Sequence, residues 1–212
     1  MINVFLVDDH ALFRQGLKLV LGHNQEIRVV GEASNYGEAV EHLRNRHVDV
    51  LVVDLSIPGR DGLDLIAFVR SAHPAVGILV LTMHAEEEYA ARALRAGAAG
   101  YLTKDSTGDH VIAAVGRVAA GSSYMCPRIA ESLALRVGRG SGNALPHTVL
   151  SDREYKVFEM LVQGNSITGI ARELSLSSKT VSTHKMRLLR KMSMRSENDL
   201  VRYAMAHQLG VL

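Results

Sequence analysis

Residues 1–120 alternate five times between a short apolar run rich in β-branched residues and a longer amphipathic stretch, a rhythm that leaves few folds open. The strand candidates are Ile2–Val7, Arg28–Ala33, Val48–Val53, Val76–Leu81 and Ala99–Leu102. Between and after them the spacing predicts helices over Ala11–Leu21, Tyr36–Arg46, Asp61–Ala72, Glu86–Ala96 and Ser106–Ala120. Strict alternation with short loops predicts a doubly wound parallel sheet with helices on both faces. Right-handed crossovers restrict how it can be wound. The run Val50–Val53 is apolar at every position, which suits a strand buried on both faces. It ends on Asp54, and in open α/β sheets chemistry sits just beyond the carboxyl ends of strands. Taken alone, Asp54 reads as an ordinary turn or N-cap aspartate.

Other strand ends change that reading. Asp8 and Asp9 end the first run, Thr82 follows the fourth and Lys104 follows the fifth. With strands ordered 2-1-3-4-5, the first and third are neighbours at the topological switch point, and Asp8, Asp9 and Asp54 converge there. Three like charges that close repel strongly unless a cation lies among them. Hard oxygen donors with positions left for water and phosphate suit Mg²⁺. A carboxylate nucleophile, a hydroxyl and an ammonium complete a set able to cradle a phosphoryl group. The ten histidines contain no closely spaced ligand set and read as surface or packing residues.

The chain changes character after residue 121. Residues 122–147, with Pro127, Gly138, Gly140, Gly142 and Pro146, read as a linker holding one helix, Arg128–Val137, and flexible from about Gly138 to His147. Beyond Leu150 the pattern is helical. Ser151 and Glu154 form a capping-box start for Asp152–Val162. Ser166–Leu174, Ser178–Met192 and Ser196–His207 follow. Two helices separated by Ser175-Leu176-Ser177 in a basic segment suggest a helix-turn-helix, although the usual turn glycine is absent. The charge is split accordingly, with 11 Lys/Arg against 15 Asp/Glu in residues 1–125 and 10 against 6 in residues 148–212. In the third of these helices Val181, Leu188 and Met192 share one face. Lys179, Thr183, Met186, Arg187 and Arg190 lie opposite, with Ser182 at the margin, as a helix entering a major groove requires.

These motifs together resemble the two-component response regulators of the LuxR-type (NarL/FixJ) family. The receiver pattern is carried by Asp8-Asp9, Asp54, Pro58-Gly59 with Asp61-Gly62, Thr82 and Gly100-Tyr101-Leu102-Thr103-Lys104. The output-domain pattern is carried by Leu150-Ser151-Asp152-Arg153-Glu154, Thr180-Val181-Ser182-Thr183-His184 and Lys191-Met192. The resemblance implies a flavodoxin-like receiver over 1–121, the linker over 122–147, and an all-α four-helix DNA-binding domain over 148–212. It also implies site roles. Asp54 accepts a phosphoryl group from a sensor histidine kinase or small phosphodonor. Asp9, Asp54 and the Ser56 main-chain carbonyl hold Mg²⁺, with Asp8 helping through water. Thr82 and Lys104 contact the phosphoryl group, coupled to an aromatic switch at Tyr101, and Ser56 and His84 tune dephosphorylation. On DNA, Ser182, Thr183 and Met186 face base edges, and Lys179, His184, Lys185 and Lys191 contact phosphates. The last helix would dimerise, with Leu200, Val201 and Ala204 as interface or core. Three departures stand out. Ser182 occupies a position where lysine is common, and Gly169 lies where glutamate is common. Asp105 also follows Lys104 where many receivers have proline, so a trans peptide is expected there.

Composition narrows the remaining classes. A single cysteine excludes an internal disulfide, and no apolar run approaches a membrane span, so a cytoplasmic protein is expected. An aspartyl-phosphate hydrolase resembling haloacid dehalogenases requires Asp-x-Asp, whereas Asp54-Leu55-Ser56 lacks the second acid. A dinucleotide enzyme lacks G-x-G-x-x-G after the first strand. The expected function is therefore a non-enzymatic regulator, whose only catalysis is its own phosphoryl transfer and autodephosphorylation. The alternative is a DNA-binding regulator whose receiver is a phosphorylation-independent protein-interaction module.

Overall fold

The computed structural model describes residues 1–58, 62–83, 87–127, 129–131 and 145–209. The chain divides into two compact units, Met1–Arg139 and Gly140–Leu212.

The first unit is a parallel sheet in which every pairing runs the same way. Its elements are β1 (Ile2–Val7), α1 (Ala11–Gly22), β2 (Ile27–Ala33), α2 (Tyr36–Asn45), β3 (Val50–Val53), α3 (Gly62–Ala72), β4 (Gly77–Thr82), α4 (Glu87–Ala96), β5 (Gly100–Thr103), α5 (Gly108–Ala119) and β6 (Tyr124–Met125). The strand order is β2-β1-β3-β4-β5-β6, so the expected 2-1-3-4-5 order holds and the expected count of five becomes six. The added strand is two residues long, too short for any periodic signal. After α5 the chain turns at Gly121, whose φ of +75° suits glycine, and comes back beside β5 to pair Gly100 with Tyr124 and Tyr101 with Met125.

Period two buries both faces of this sheet. Val4, Leu6, Val50, Val52, Leu79, Leu81 and Leu102 pack with Leu17 and Leu21 of α1 and with Val111, Ala114, Val115 and Val118 of α5. The alternate residues Phe5, Leu51, Val53, Ile78, Val80 and Tyr101 are also buried. Each such side chain contributes on the order of 1.5–3 kcal/mol on leaving water. Helix α1 divides its leucines between two faces. Leu17 and Leu21 turn inward, whereas Leu12 and Leu19, seven residues apart, share an outer face and are 88% and 70% exposed.

The second unit has a short 3-10 turn, Pro146–Val149, followed by α6 (Asp152–Val162), α7 (Ile167–Glu173), α8 (Ser178–Lys191) and α9 (Glu197–His207). Each helix starts on a serine. Ser151, Ser166, Ser177 and Ser196 accept from the backbone N–H of Glu154, Gly169, Thr180 and Asp199. Such a cap contributes about 1 kcal/mol. Gly169 thus sits in the first turn of α7, where a glycine's penalty is small. Between α7 and α8, Ser175 takes the left-handed conformation itself, with φ of 53°, in place of the missing turn glycine.

Leu200 and Ala204 of α9 are fully buried inside this unit, alongside Phe158, Ile170, Val181 and Leu188. Of the two roles left open for them, the structure selects core over dimer interface. Val201 is half-buried. Gly59, Asp61, His84, most of the expected Arg128–Val137 helix and most of the glycine-rich stretch after it lie outside the described residues. No helix among the described residues is long and apolar enough to cross a membrane.

Candidate functional site

Three chemistry-bearing residues each extend the sheet ladder one step past a strand end. The Asp54 N–H donates to the Val7 carbonyl at 2.8 Å, the Asp8 N–H to Ala33 at 3.1 Å, and the Lys104 N–H to Thr82 at 2.8 Å. The parallel register therefore delivers Asp8, Asp54 and Lys104 to one edge of the sheet with main-chain precision.

Their side chains meet there. Lys104 Nζ lies 2.6 Å from Asp8 Oδ2 and donates to Asp54 Oδ2 at 2.8 Å, and the three side chains are 5%, 7% and 2% exposed. The Phe13 ring lies under the ammonium, 4.7 Å from its centroid, as a cation–π support. Burial pulls the Lys104 pKa down, but hydrogen bonds and charge from Asp54 and Asp8 outweigh it, and the net direction is up. The ammonium stays charged and neutralises part of the acidic cluster. The other Asp54 oxygen, Oδ1, accepts from the Ser56 N–H at 3.1 Å. Ser56 itself is exposed.

Asp9 stands beside this pair, 34% exposed, and the ligand atoms of Asp8, Asp9, His10 and Asp54 all lie within 4.8 Å of one another. This acidic pocket can hold a metal ion. His10 is the member that sequence reasoning missed, since the histidines read as surface or packing residues. Its only sequence signal is its place directly after Asp8-Asp9. Arg14 is a second missed residue. It donates to the Asp8 carbonyl oxygen and pairs with Glu32 at 3.3 Å, fixing the loop after β1. Gly62 is a third. A Cβ there would come within 2.4 Å of the Asp54 carbonyl oxygen, so the start of α3 closes on the Asp54 loop only with glycine.

Thr82 and Tyr101 are fully buried on adjacent strands, with Val80 paired to Tyr101 and Thr82 to Thr103. Among the described residues there is no cis peptide bond, so the Lys104–Asp105 peptide is trans as expected.

The basic helix α8 presents two different faces. Val181 and Leu188, with Met192 just beyond its end, are buried, and Lys179, Ser182, Met186, Arg187 and Arg190 are exposed, as the periodicity requires. Met186 is 67% exposed, a large apolar side chain standing in solvent. The other expected contact residues are engaged within the unit. The Thr183 hydroxyl donates to the Lys179 carbonyl at 2.9 Å. Lys185 pairs with Glu197, and Lys191 pairs at 2.6 Å with Glu154, which is 3% exposed and also closes the capping box of α6. Glu154 has its pKa held down. Burial acts upward, and hydrogen bonds from Lys191 and Ser151 outweigh it. His184 is half-buried, its Nδ1 has no hydrogen-bond partner among the described residues, and its pKa is lowered by burial and by Arg187 and Arg153 against an opposing pull from Glu154. It is a neutral ring near pH 7.

Residues 4–116 match the response regulator receiver domain family, which is more than half of the chain. The chain belongs to the response regulators. Residues 148–204 of this response regulator match the luxR family of bacterial regulatory proteins, so its second unit is a LuxR-type DNA-binding domain. It is 36% identical over 209 residues to the response regulator UvrY of Escherichia coli (strain K12), covering 99% of this chain and 96% of UvrY. It is 35% identical over 207 residues to the response regulator GacA of Pseudomonas syringae pv. syringae, covering 98% and 97%. Among solved structures it resembles RcsB from Salmonella enterica serovar Typhimurium, bound to a promoter in the presence of phosphomimetic BeF3-. That likeness has a TM-score of 0.68 and 26% identity, covering 97% of this chain and 98% of RcsB. A receiver and a LuxR-type helix-turn-helix in one chain make this a two-component response regulator acting in DNA-binding transcription regulation.

Proposed function

We propose that Asp54 is the phosphoacceptor, that a sensor histidine kinase is its donor, and that the modification controls DNA binding by a homodimer. The observation that carries this reading is the buried Asp8–Lys104–Asp54 contact, at 2.6 and 2.8 Å, on the strand edge where phosphate would arrive. An Asp54 carboxylate oxygen attacks the phosphorus of a phosphohistidine. The P–N bond breaks as the P–O bond forms, and the leaving imidazole takes up a proton. Lys104 is the group able to follow the new charge, because its ammonium already contacts the attacking carboxylate. The Thr82 hydroxyl, at the adjacent strand end, supplies a contact to a phosphoryl oxygen, and buried Tyr101 couples that shift to the α4–β5 region.

Asp8, Asp9, Asp54 and the Ser56 carbonyl would hold Mg²⁺, and the donor set fits a hard divalent cation because it is dominated by carboxylate oxygens. When bound, the ion offsets negative charge on the acyl-phosphate oxygens. The protein is otherwise a regulator, not a multiple-turnover enzyme, and acts in the cytoplasm.

On DNA, exposed Ser182 and Met186, with Thr183 beside them, form the reading face. Met186 offers only apolar contact, suited to a thymine methyl. His184, Lys185 and Lys191 contact phosphates only after giving up burial or internal ion pairs, so Lys179 is the foremost phosphate contact. The test is labelling with acetyl phosphate and Mg²⁺. Wild type labels, and Asp54→Asn loses the label by more than about a hundredfold. Full labelling of Asp54→Asn would refute the assignment.

A further inference from the structure

We infer that His10 is a nitrogen ligand of the receiver's metal site, and that it turns an oxygen site suited to Mg²⁺ towards borderline first-row cations of the Co²⁺, Ni²⁺ and Zn²⁺ class. The inference rests on Asp8, Asp9 and Asp54 forming a metal site at all. His10 stands at the N-cap of α1, yet its side chain makes no cap hydrogen bond. The ring turns the other way, placing Nδ1 2.7 Å from Asp9 Oδ1 and 3.2 Å from Asp8 Oδ1. Its main-chain N–H donates to Asp8 Oδ1 at 2.8 Å, so backbone and ring address the same carboxylate loop.

The ring nitrogen pairs with both carboxylates, and the same short distances let it turn its lone pair to a cation that they share. Opposed ligands of an octahedral first-row ion lie about 4 Å apart, since each bond is about 2.0–2.1 Å. The four candidate ligand atoms already lie within 4.8 Å of one another. A cation drawing in the carboxylates therefore meets Nδ1 with little ring movement. The His10 side chain is 62% exposed, so the ring has room to adjust and Nε2 has access to solvent. Chemistry then separates the metals. Imidazole is a poor partner for Mg²⁺, which keeps oxygen ligands and waters, and a good one for Co²⁺, Ni²⁺ and Zn²⁺. Carboxylates alone favour these ions over Mg²⁺ modestly, and a nitrogen donor widens the gap.

The test is calorimetric titration of the full chain with Mg²⁺ and with Co²⁺, alongside the visible absorption of bound Co²⁺, on wild type, His10→Ala and Asp9→Asn. Because the ring makes no cap bond, His10→Ala leaves the helix start intact. The expected result is that His10→Ala weakens Co²⁺ by about tenfold or more, changes Mg²⁺ by less than about threefold, and shifts the Co²⁺ spectrum as nitrogen is lost. Asp9→Asn weakens both ions, placing Co²⁺ in this pocket. Equal changes for the two ions in His10→Ala, or no change, would overturn the role of His10 while leaving the oxygen site standing. Co²⁺ binding that survives Asp9→Asn would overturn it too, by putting the ion elsewhere. A wild-type protein that binds neither ion would instead break the reading of the pocket as a metal site.

Discussion

The acidic edge of the receiver and the basic face of α8 use charge in opposite ways. At the sheet edge, Lys104, Asp8 and Asp54 are all nearly buried and locked on one another, so charge is held in a fixed geometry before any phosphate arrives. On α8, Lys179, Arg187 and Arg190 stand in solvent, while Lys185 and Lys191 are tied to Glu197 and Glu154. A buried network gains geometry at the expense of solvation, and an exposed face keeps its solvation until DNA displaces counterions. Positive charge in the sequence is thus a poor guide to function in the second unit, and charge position is a good one in the first.

The largest effect that would sharpen this contrast is expected at Lys104. Lys104→Ala leaves Asp8 and Asp54 facing each other without a cation, and the receiver should lose about 3 kcal/mol in urea unfolding followed by circular dichroism. Added Mg²⁺ should stabilise this variant more than wild type, and an unchanged midpoint would show that the network carries no strain from like charges. Next in size is Glu154→Ala, which removes the buried pair with Lys191 and half of the capping box. The second unit should lose about 2 kcal/mol. A smaller difference separates the lysines on DNA. Lys179→Ala should lower the slope of log affinity against log salt by about 1, while Lys191→Ala should lower the melting temperature and leave that slope nearly unchanged. Equal slopes for the two variants would erase the distinction between free and engaged cations. Smallest is Ser175→Gly, which relieves a left-handed serine and should stabilise the second unit by up to about 1 kcal/mol.

Both units contain a histidine that favours the neutral form. His42, stacked on Phe5 at 3.9 Å, has its pKa lowered by burial and by Arg46, as His184 has in α8. A histidine with a folded pKa below its unfolded value contributes stability above about pH 6.5, lost as pH falls through the folded value. Stability should therefore decline below about pH 6.5, and nuclear magnetic resonance titration should place both rings below the ordinary histidine value.

Legibility followed the same division. The sheet order, Asp8, Asp9, Asp54, Thr82 and Lys104 could be read because strand ends are fixed by apolar runs, and a parallel sheet brings them to one edge. His10 could not be read, because nothing in its neighbours tells which way an N-cap ring turns. Strand β6 was too short to carry a period. The buried face of α8 followed from 3.6-residue spacing, but the pairing of Lys191 with Glu154 spans 37 positions and two helices, which no local pattern records. Leu200 and Ala204 have the same apolar character in a core or an interface, and only packing distinguished them.

The central claim is that the buried charge network at Asp54 governs the exposed face of α8. Footprinting of the full chain on a DNA site selected in vitro for binding, with and without acetyl phosphate and Mg²⁺, tests this most directly. Protection should appear at a protein concentration about tenfold lower with the phosphodonor, and that gain should vanish in Asp54→Asn. Identical footprints in all cases would contradict the account and leave the receiver as a phosphorylation-independent interaction module.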